Sequence, residues 1–286
     1  TNFIDGVPLE VGTFPVDTEP AMALGSKDLE PETSTNISAG MTYKDEQFSL
    51  SVDAYQINVD DRISMSETFK GDGGRDDDGN LLPGKDTMAN FFAARGIPAT
   101  GGRYFFNGIN TETKGLDIVA TMKHDVAMGT LTLKAAMNFN DTEVTNKDDL
   151  VTPDELDPYT QADLLGRQNT VRYESSSPKE NFQFSAMLQK PTSTFMAKLN
   201  RWGEVTIPAS SVEREQVLSS KWTVDMEYGF QLNSQVRMSL GVNNLLDTYP
   251  DKTVKRNSFN GIFQHSGYSP FGFSGRYIYT RLDMSL

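Results

Sequence analysis

The stretch WTVDMEYGFQLNSQVRMSLGVNNLL, residues 222–246, decides how the rest of the chain is read. In its first half Trp222, Val224, Met226, Tyr228 and Phe230 alternate with Thr223, Asp225, Glu227, Gly229 and Gln231. In its second half Val236, Met238, Leu240 and Val242 alternate with Gln235, Arg237, Ser239, Gly241 and Asn243. Side chains of a strand point to opposite faces with period two, so each half is a strand with one apolar and one polar face. Leu232-Asn233-Ser234 leaves only enough chain between them for a tight antiparallel turn. The polar faces are wet: they carry Asp225, Glu227 and Arg237 as well as hydroxyls. A soluble sandwich alternates in the same way as a membrane strand, so the hairpin alone leaves open which face meets water.

Working outward, the same period recurs. Ile37, Ala39, Met41 and Tyr43 share a parity, and after a short turn at Lys44-Asp45-Glu46 so do Phe48, Leu50, Val52 and Ala54. The apolar parity then moves to Tyr55, Ile57 and Val59, which predicts a β-bulge after Ala54. Leu116, Ile118, Ala120 and Met122 follow, in a strand reaching back toward Tyr104, with residues 123–129 as a compact turn. Leu131 to Phe139, Phe182 to Leu188 and Phe195 to Leu199 each alternate, the last two joined by a turn at Lys190-Pro191-Thr192-Ser193. A final strand puts Ile278, Leu282, Met284 and Leu286 on one face, which makes about nine strands in all. The opposite faces carry Asp53, Asp117, Lys123, Lys134, Lys198, Asp225, Glu227, Arg237, Arg281 and Asp283.

The connections discriminate better than the strands. Residues 1–34, rich in Gly and Pro, read as a long loop with the end of a preceding strand at residues 1–5. Within residues 35–286 the long or medium connections are 67–102, 141–178, 203–217 and 247–274, and short turns lie between them. Strict alternation of long and short suits an up-and-down transmembrane barrel, with short turns at the periplasmic end and long loops outside. Greek-key sandwiches have no reason to place every long loop at one end. A porin-like channel would need a complete even-stranded barrel, about 16 strands for this length, and too few strands are present. A soluble β-rich adhesin or binding module remains the rival of another class.

Composition bounds the partners. The 286 residues carry a formal charge of −13, which argues against nucleic acid as a partner, since phosphate binding needs a basic face. Without cysteine there is neither a disulfide nor a thiolate metal site. No run of 18 apolar residues is present, so no transmembrane helix is expected, whereas barrel strands of ~9–11 alternating residues leave no such trace. TNFIDGVPLEVGTFPV, at the start, lacks the features of a secretory leader, so an exported chain of this sequence would be a mature or truncated form.

The residues NNLLDTYP, Asn243, Asn244, Leu245, Leu246, Asp247, Thr248, Tyr249 and Pro250, are followed after a long loop by GRYIYTRLDMSL, which opens with Gly275 and Arg276. Together they resemble the C-terminal signature of TonB-dependent outer-membrane receptors. LEPETSTNISAGMTY (residues 29–43), TETKGLDIVATM (111–122) and FQFSAMLQKPTSTFMAKLNRWGEV (182–205) resemble that family's barrel in the same order. The resemblance implies an all-β, antiparallel, 22-stranded barrel plugged from within, of which this chain supplies the C-terminal nine strands. It implies import of a scarce nutrient with energy from the TonB complex of the inner membrane. Ferric siderophore is the expected substrate, with oligosaccharide, haem and cobalamin as alternatives. The expected setting is the outer membrane of a Gram-negative bacterium, among its lipid and lipopolysaccharide. No cofactor and no enzymatic activity are implied. Nine strands would leave two open edges in lipid, so the plug and the remaining strands of the same receptor are expected to complete the wall. Leu286 departs from the aromatic residue on which the family usually ends.

Candidate site residues follow from chemistry and position. Phe91, Phe92, Arg103, Tyr104, Phe105 and Phe106 fall in or beside an expected outer loop, and Tyr249, Tyr268, Phe271 and Phe273 in another. Aromatics beside Arg suit an aryl-rich anionic ligand such as a catecholate ferric complex, although loop packing or an aromatic belt at the bilayer surface is the more ordinary account of them. Asp225, Glu227, Arg237, Arg281 and Asp283 are expected to face the lumen. Asp76-Asp77-Asp78-Gly79-Asn80 has oxygen ligands but not the twelfth-position Glu of an EF-hand, and reads as a solvated loop tip. His124, in an expected turn, and His265, in an outer loop, are too far apart in this scheme to share a metal.

Overall fold

The protein is seen in a computed structural model that describes residues 2–4, 7–9, 11–258 and 261–285. Thr1 and Asp5, the bounds of the expected preceding strand, and Leu286, the expected last outward residue, lie outside the described residues. In chain order the strands are β1 (Asn2–Ile4), β2 (Val7–Leu9), β3 (Val11–Phe14), β4 (Thr33–Lys44), β5 (Phe48–Met65), β6 (Phe69–Lys70), β7 (Gly101–Val126) and β8 (Gly129–Val144). They continue as β9 (Glu180–Gln189), β10 (Ser193–Trp202), β11 (Val205–Ile207), β12 (Gln216–Leu218), β13 (Lys221–Gln231), β14 (Val236–Asn243) and β15 (Tyr277–Met284). Three short helices are α1 (Glu19–Ala23), α2 (Met88–Ala93) and α3 (Arg167–Glu174).

One sheet places β4, β5, β7, β8, β9, β10, β13, β14 and β15 side by side in that order. From β8 to β15 every neighbouring pair is antiparallel. These nine are the strands that alternation predicts. Two short additions, β3 (parallel) and β6 (antiparallel), pair with the start of β7.

The register explains why period two is so clean. Directly opposed residues share a face, so Leu131, Leu188, Phe195, Tyr228 and Leu240 form one row across five strands. Leu133, Ala186, Ala197, Met226, Val242 and Ile278 form the next. None of these residues is buried; Trp222, Phe195, Tyr228 and Leu240 are each more than 40% exposed although they sit on inner strands. A soluble sandwich covers such a face with a second layer, and contiguous apolar surface left open marks contact with an apolar partner. Aromatic rings gather at both ends of the band. Phe139, Phe182 and Trp222 lie at one end, and Phe195, Tyr228 and Phe230 at the other. Trp222 and Phe230 are separated by about 26 Å of strand, close to what a tilted strand uses to cross most of a ~25 Å apolar band.

Several boundaries differ from expectation, each for a physical reason. No parity change follows Ala54. Tyr55 stays on the wet face beside Asp53, its ring lying over Gly115, where any Cβ would collide, and its hydroxyl meeting Asn138 Nδ2 at 3.4 Å. Tyrosine is apolar in body and polar at its tip, so it counts for either face. The irregularity of β5 is at Asp61 instead, a left-handed residue (φ 55°) whose N–H goes to Asn110 Oδ1 and whose carbonyl accepts Asn107 Nδ2. β7 continues to Val126, so the turn shrinks to Ala127-Met128 and His124 lies in the strand. At 26 residues β7 is far longer than the ~9–11 needed to cross a bilayer.

The chain divides into two compact units, residues 1–35, 58–112 and 143–170 forming the first, and residues 36–57, 113–142 and 171–286 the second. The first has a true core. Ala21, Leu24, Phe69, Met88, Phe91, Phe92, Tyr104, Ile109 and Leu156 are all at most 2% exposed. Phe91 meets Phe92 at 5.3 Å and Tyr159 at 5.0 Å, both edge-on, and Arg95 sits 3.8 Å over the Phe91 ring. α2 is started by Thr87, whose hydroxyl accepts the Asn90 N–H. Phe92→Ala in the intact protein is expected to cost about 3–5 kcal/mol locally. Amide exchange should then quicken across residues 88–109 while β9, β10 and β13 keep their protection; uniform loss would refute an independent loop core.

Candidate functional site

The corner built by the NNLLDTYP residues ties three strands together. Asn244 and Asp247 are left-handed (φ 52° and 55°), which turns the chain sharply out of β14. The Asn244 N–H donates to Asp225 Oδ1 (2.8 Å) on β13, and the Leu245 N–H donates to the Val224 carbonyl (2.7 Å). The Asn244 side chain closes a ring, donating to Thr248 O and accepting the Thr248 N–H. Asp247 Oδ1 then accepts the Arg276 N–H (2.8 Å) just ahead of β15. Gly275 (φ 71°) packs against Tyr249 Oη and Asp247 Oδ1, where a side chain would collide. The corner is thus structural glue, and Leu246 is left exposed.

On the face opposite the apolar rows lies a hydrogen-bonded lattice. Asn200 Nδ2 donates to Asp225 Oδ2 (2.9 Å), and Trp202 Nε1 to Thr223 Oγ1 (3.0 Å). Tyr279 Oη donates to Glu227 Oε2 (2.7 Å), while Arg281 pairs with Glu227 (3.1 Å) and Asp283 (3.3 Å). Arg237 stands opposite Gln231 and Asp283. Asp225, Glu227, Arg237, Arg281 and Asp283 therefore share one face, on which Arg281 bridges Glu227 to Asp283 and Asp225 accepts from Asn200 and Asn244.

The aromatic candidates separate. Phe91, Phe92, Tyr104 and Phe106 are buried in the loop core, with Phe69 stacked on Tyr104, and are withdrawn from any ligand above them. Phe105 is 40% exposed, and Arg103 is tied through Nε to Thr13 Oγ1 (2.9 Å). In the second unit, β11 and β12 pair and bury Val205, Ile207 and Leu218 against Tyr268. Tyr249 stacks on His265 (5.5 Å), and Trp202 on Phe271 (6.2 Å). Asp76 is occupied by its own turn, accepting the N–H groups of Asp78 and Asn80, which hold its carboxyl below the usual range. Arg75 bridges to Asp72 (2.7 Å). Among the described residues no group of three or more His, Cys, Asp or Glu is placed to hold a metal ion.

The sequence profile of the "TonB dependent receptor-like, beta-barrel" family matches residues 7–245. The chain belongs to that family. No curated protein matches the sequence. Among solved structures, the siderophore receptor PirA of Acinetobacter baumannii superposes with a TM-score of 0.56 at 14% identity, over 91% of this chain and 32% of that one. The FrpB iron transporter of Neisseria meningitidis gives 0.55 at 11%, over 96% and 32%. The copper transporter OprC gives 0.54 at 14%, over 91% and 32%. The chain therefore spans about a third of the length of these structures, and at such identities they establish the fold alone. This TonB-dependent-receptor barrel segment has nine neighbouring strands among the described residues, with an apolar band on one face and a polar lattice on the other.

Alternation does not reveal the pairing within long loops. The anchor at Asp251 was missed for that reason: its carboxylate accepts from Lys221 Nζ (2.6 Å), the Ser219 N–H (2.6 Å) and the Ser219 hydroxyl (2.7 Å). Burial raises its pKa, but the Lys221 and Ser219 hydrogen bonds outweigh this and hold it at about 2. Because the folded pKa is depressed, the anchor contributes fully above the unfolded value near ~3.9 and is lost as pH falls toward 2. Protease sensitivity of residues 203–220 and 247–275 is expected to be flat from pH 7 to 5 and to rise between pH 4 and 2. Lys221→Ala should move that rise to higher pH; an unchanged midpoint would refute the anchor.

Proposed function

We propose that this chain supplies wall and outer loops of an outer-membrane receptor of a Gram-negative bacterium, and that the receptor takes up a ferric siderophore. The observation that carries this reading is the uncovered apolar band, bounded by aromatic rings and backed by a polar lattice. Outward, the band meets lipid and, at its outer rim, lipopolysaccharide. Inward, Asp225, Glu227, Arg237, Arg281 and Asp283 face a lumen that a plug and further strands of the same receptor complete. Energy comes from the TonB complex acting on that plug. Neighbours named for siderophore, iron and copper support a metal or metal chelate as cargo. The work is binding and passage, and no chemical step is assigned.

Charge narrows the cargo. Of the 39 acidic and 26 basic residues, 23 and nine fall in the first unit, a balance of −14, against +1 in the second. Surface potentials of one sign steer ligands of the other and repel their own kind. A neutral or cationic ferric chelate, such as a trihydroxamate, is favoured over a trianionic catecholate. The test is uptake of iron-55 by a strain lacking only this receptor, with and without plasmid-borne receptor and with TonB present or absent. TonB-dependent uptake of the trihydroxamate should exceed that of the catecholate about tenfold at low salt, and the gap should narrow with ionic strength. Equal rates, or a catecholate preference, would reject the charge argument; no iron uptake at all would reject the siderophore.

A further inference from the structure

The apolar face is interrupted at its long-loop end by an ion pair. Met137, Phe182, Arg201 and Trp222 oppose one another across β8, β9, β10 and β13, so Arg201 stands in a row of apolar residues. Two residues before Phe182 on β9, Glu180 opposes Phe139 and shares the same face. Arg201 Nη1 meets Glu180 Oε1 at 2.6 Å, and the guanidinium carbon lies 5.2 Å from the centre of the Phe182 ring. Both side chains keep some exposure, 20% for Arg201 and 38% for Glu180. Charge on a face turned to lipid is costly at mid-bilayer and tolerated near the interface, where aromatic rings also gather. The pair therefore stands at head-group level.

Below it, toward the middle of the band, the same face holds a groove of about 470 Å³. Alanines of four neighbouring strands, Ala120, Ala135, Ala186 and Ala197, give it a low floor, and Phe184 and Leu199 stand beside them. Ala186 opposes Ala197, and Phe184 opposes both Ala135 and Leu199. Leu199 and Ala197 follow Arg201 at steps of two residues, which places the groove ~7 to ~13 Å from Arg201 along β10. An apolar channel that begins beneath a charged pair has the shape and polarity of a single amphiphile, chain first and head last.

Charge selects the head group. The Arg201–Glu180 pair is neutral in sum, so a purely anionic head would gain the guanidinium only by meeting the carboxylate. A head with a phosphate beside a primary ammonium meets both. A guanidinium has five N–H donors and one carboxylate engages two at most, which leaves donors for a phosphate. The ammonium would donate to Glu180, and a trimethylated ammonium has no N–H to give. We propose that the ion pair and the groove together seat one phospholipid with a phosphoethanolamine head. Its phosphate lies on Arg201, its ammonium on Glu180 and one acyl chain along the alanines. The proposal rests on reading this face as turned to lipid and is independent of the cargo.

The test is native mass spectrometry of the full-length receptor after incubation in detergent with equal amounts of phosphatidylethanolamine, phosphatidylglycerol and phosphatidylcholine of one acyl composition. One retained phosphatidylethanolamine is expected, about tenfold over either competitor, the ratio that one charge-assisted hydrogen bond supplies. Glu180→Gln should reverse the order in favour of phosphatidylglycerol, a change that a structural role for the pair would not produce. Ala197→Phe should fill the groove and abolish retention of all three, and Phe195→Leu, on the same face outside the groove, should leave retention unchanged. Heat-modifiable gel migration identifies a variant that fails to fold; should Ala197→Phe do so, Ala186→Leu takes its place. No retention, equal retention of the three lipids, or an order unmoved by Glu180→Gln would overturn the head-group assignment. Preference for lipid A over phosphatidylethanolamine in a second competition would do the same, and retention undiminished in folded groove variants would overturn the groove. A protein that stays folded and monomeric without detergent would overturn the lipid-facing reading itself. Retention of phosphatidylethanolamine by a receptor that takes up no iron would reject the siderophore and support the seat.

Discussion

The constraint on which everything else depends is that lipid offers the backbone no hydrogen bonds. A chain that crosses it in extended form must pair each N–H and C=O with a neighbouring strand, at several kcal/mol for each group left over. Continuous ladders from β8 to β15 meet that demand between the strands they join. Once the ladders fix the register, the pleat assigns every side chain to one of two faces. The row from Leu131 to Leu240 and the contacts among Asp225, Asn200 and Thr223 are therefore products of a single backbone requirement.

The first unit obeys a different economy. Its residues carry a dense core of phenylalanines, and its stability comes from burying apolar surface away from water rather than from presenting it. One chain thus holds two opposite solutions to the placement of apolar residues. Phe92 at 0% exposure and Ile278 at 75% are both correctly placed, each for its own surroundings.

The wall was legible in the sequence because period two dominates most strands, with few exceptions such as Arg201, which sits in the apolar row between Phe182 and Trp222. Tyr55 misled because its ring and hydroxyl satisfy both faces, and the true irregularity at Asp61 carries no apolar signal at all. The loops were less legible. Phe91 and Phe92 look the same in sequence whether they grip a ligand or each other, and only three-dimensional contacts with Tyr159 and Phe14 separate the cases. The hydrogen bonds from Asn200 to Asp225 and from Asn138 to Asp117 were invisible for a related reason: they are a property of register across strands, not of any one strand.

The bond between Asp247 and the Arg276 N–H has a consequence for how this chain can change over time. It pinches the last long loop at its neck, so the ends of the intervening segment are brought together by the corner itself. Loop length then enters the closure entropy only logarithmically, and about 0.6 kcal/mol accompanies each doubling. Segments of quite different size and chemistry can be exchanged above that neck without disturbing the pairing of β14 with β15. A wall so built can take on a different loop while its strands stay as they are.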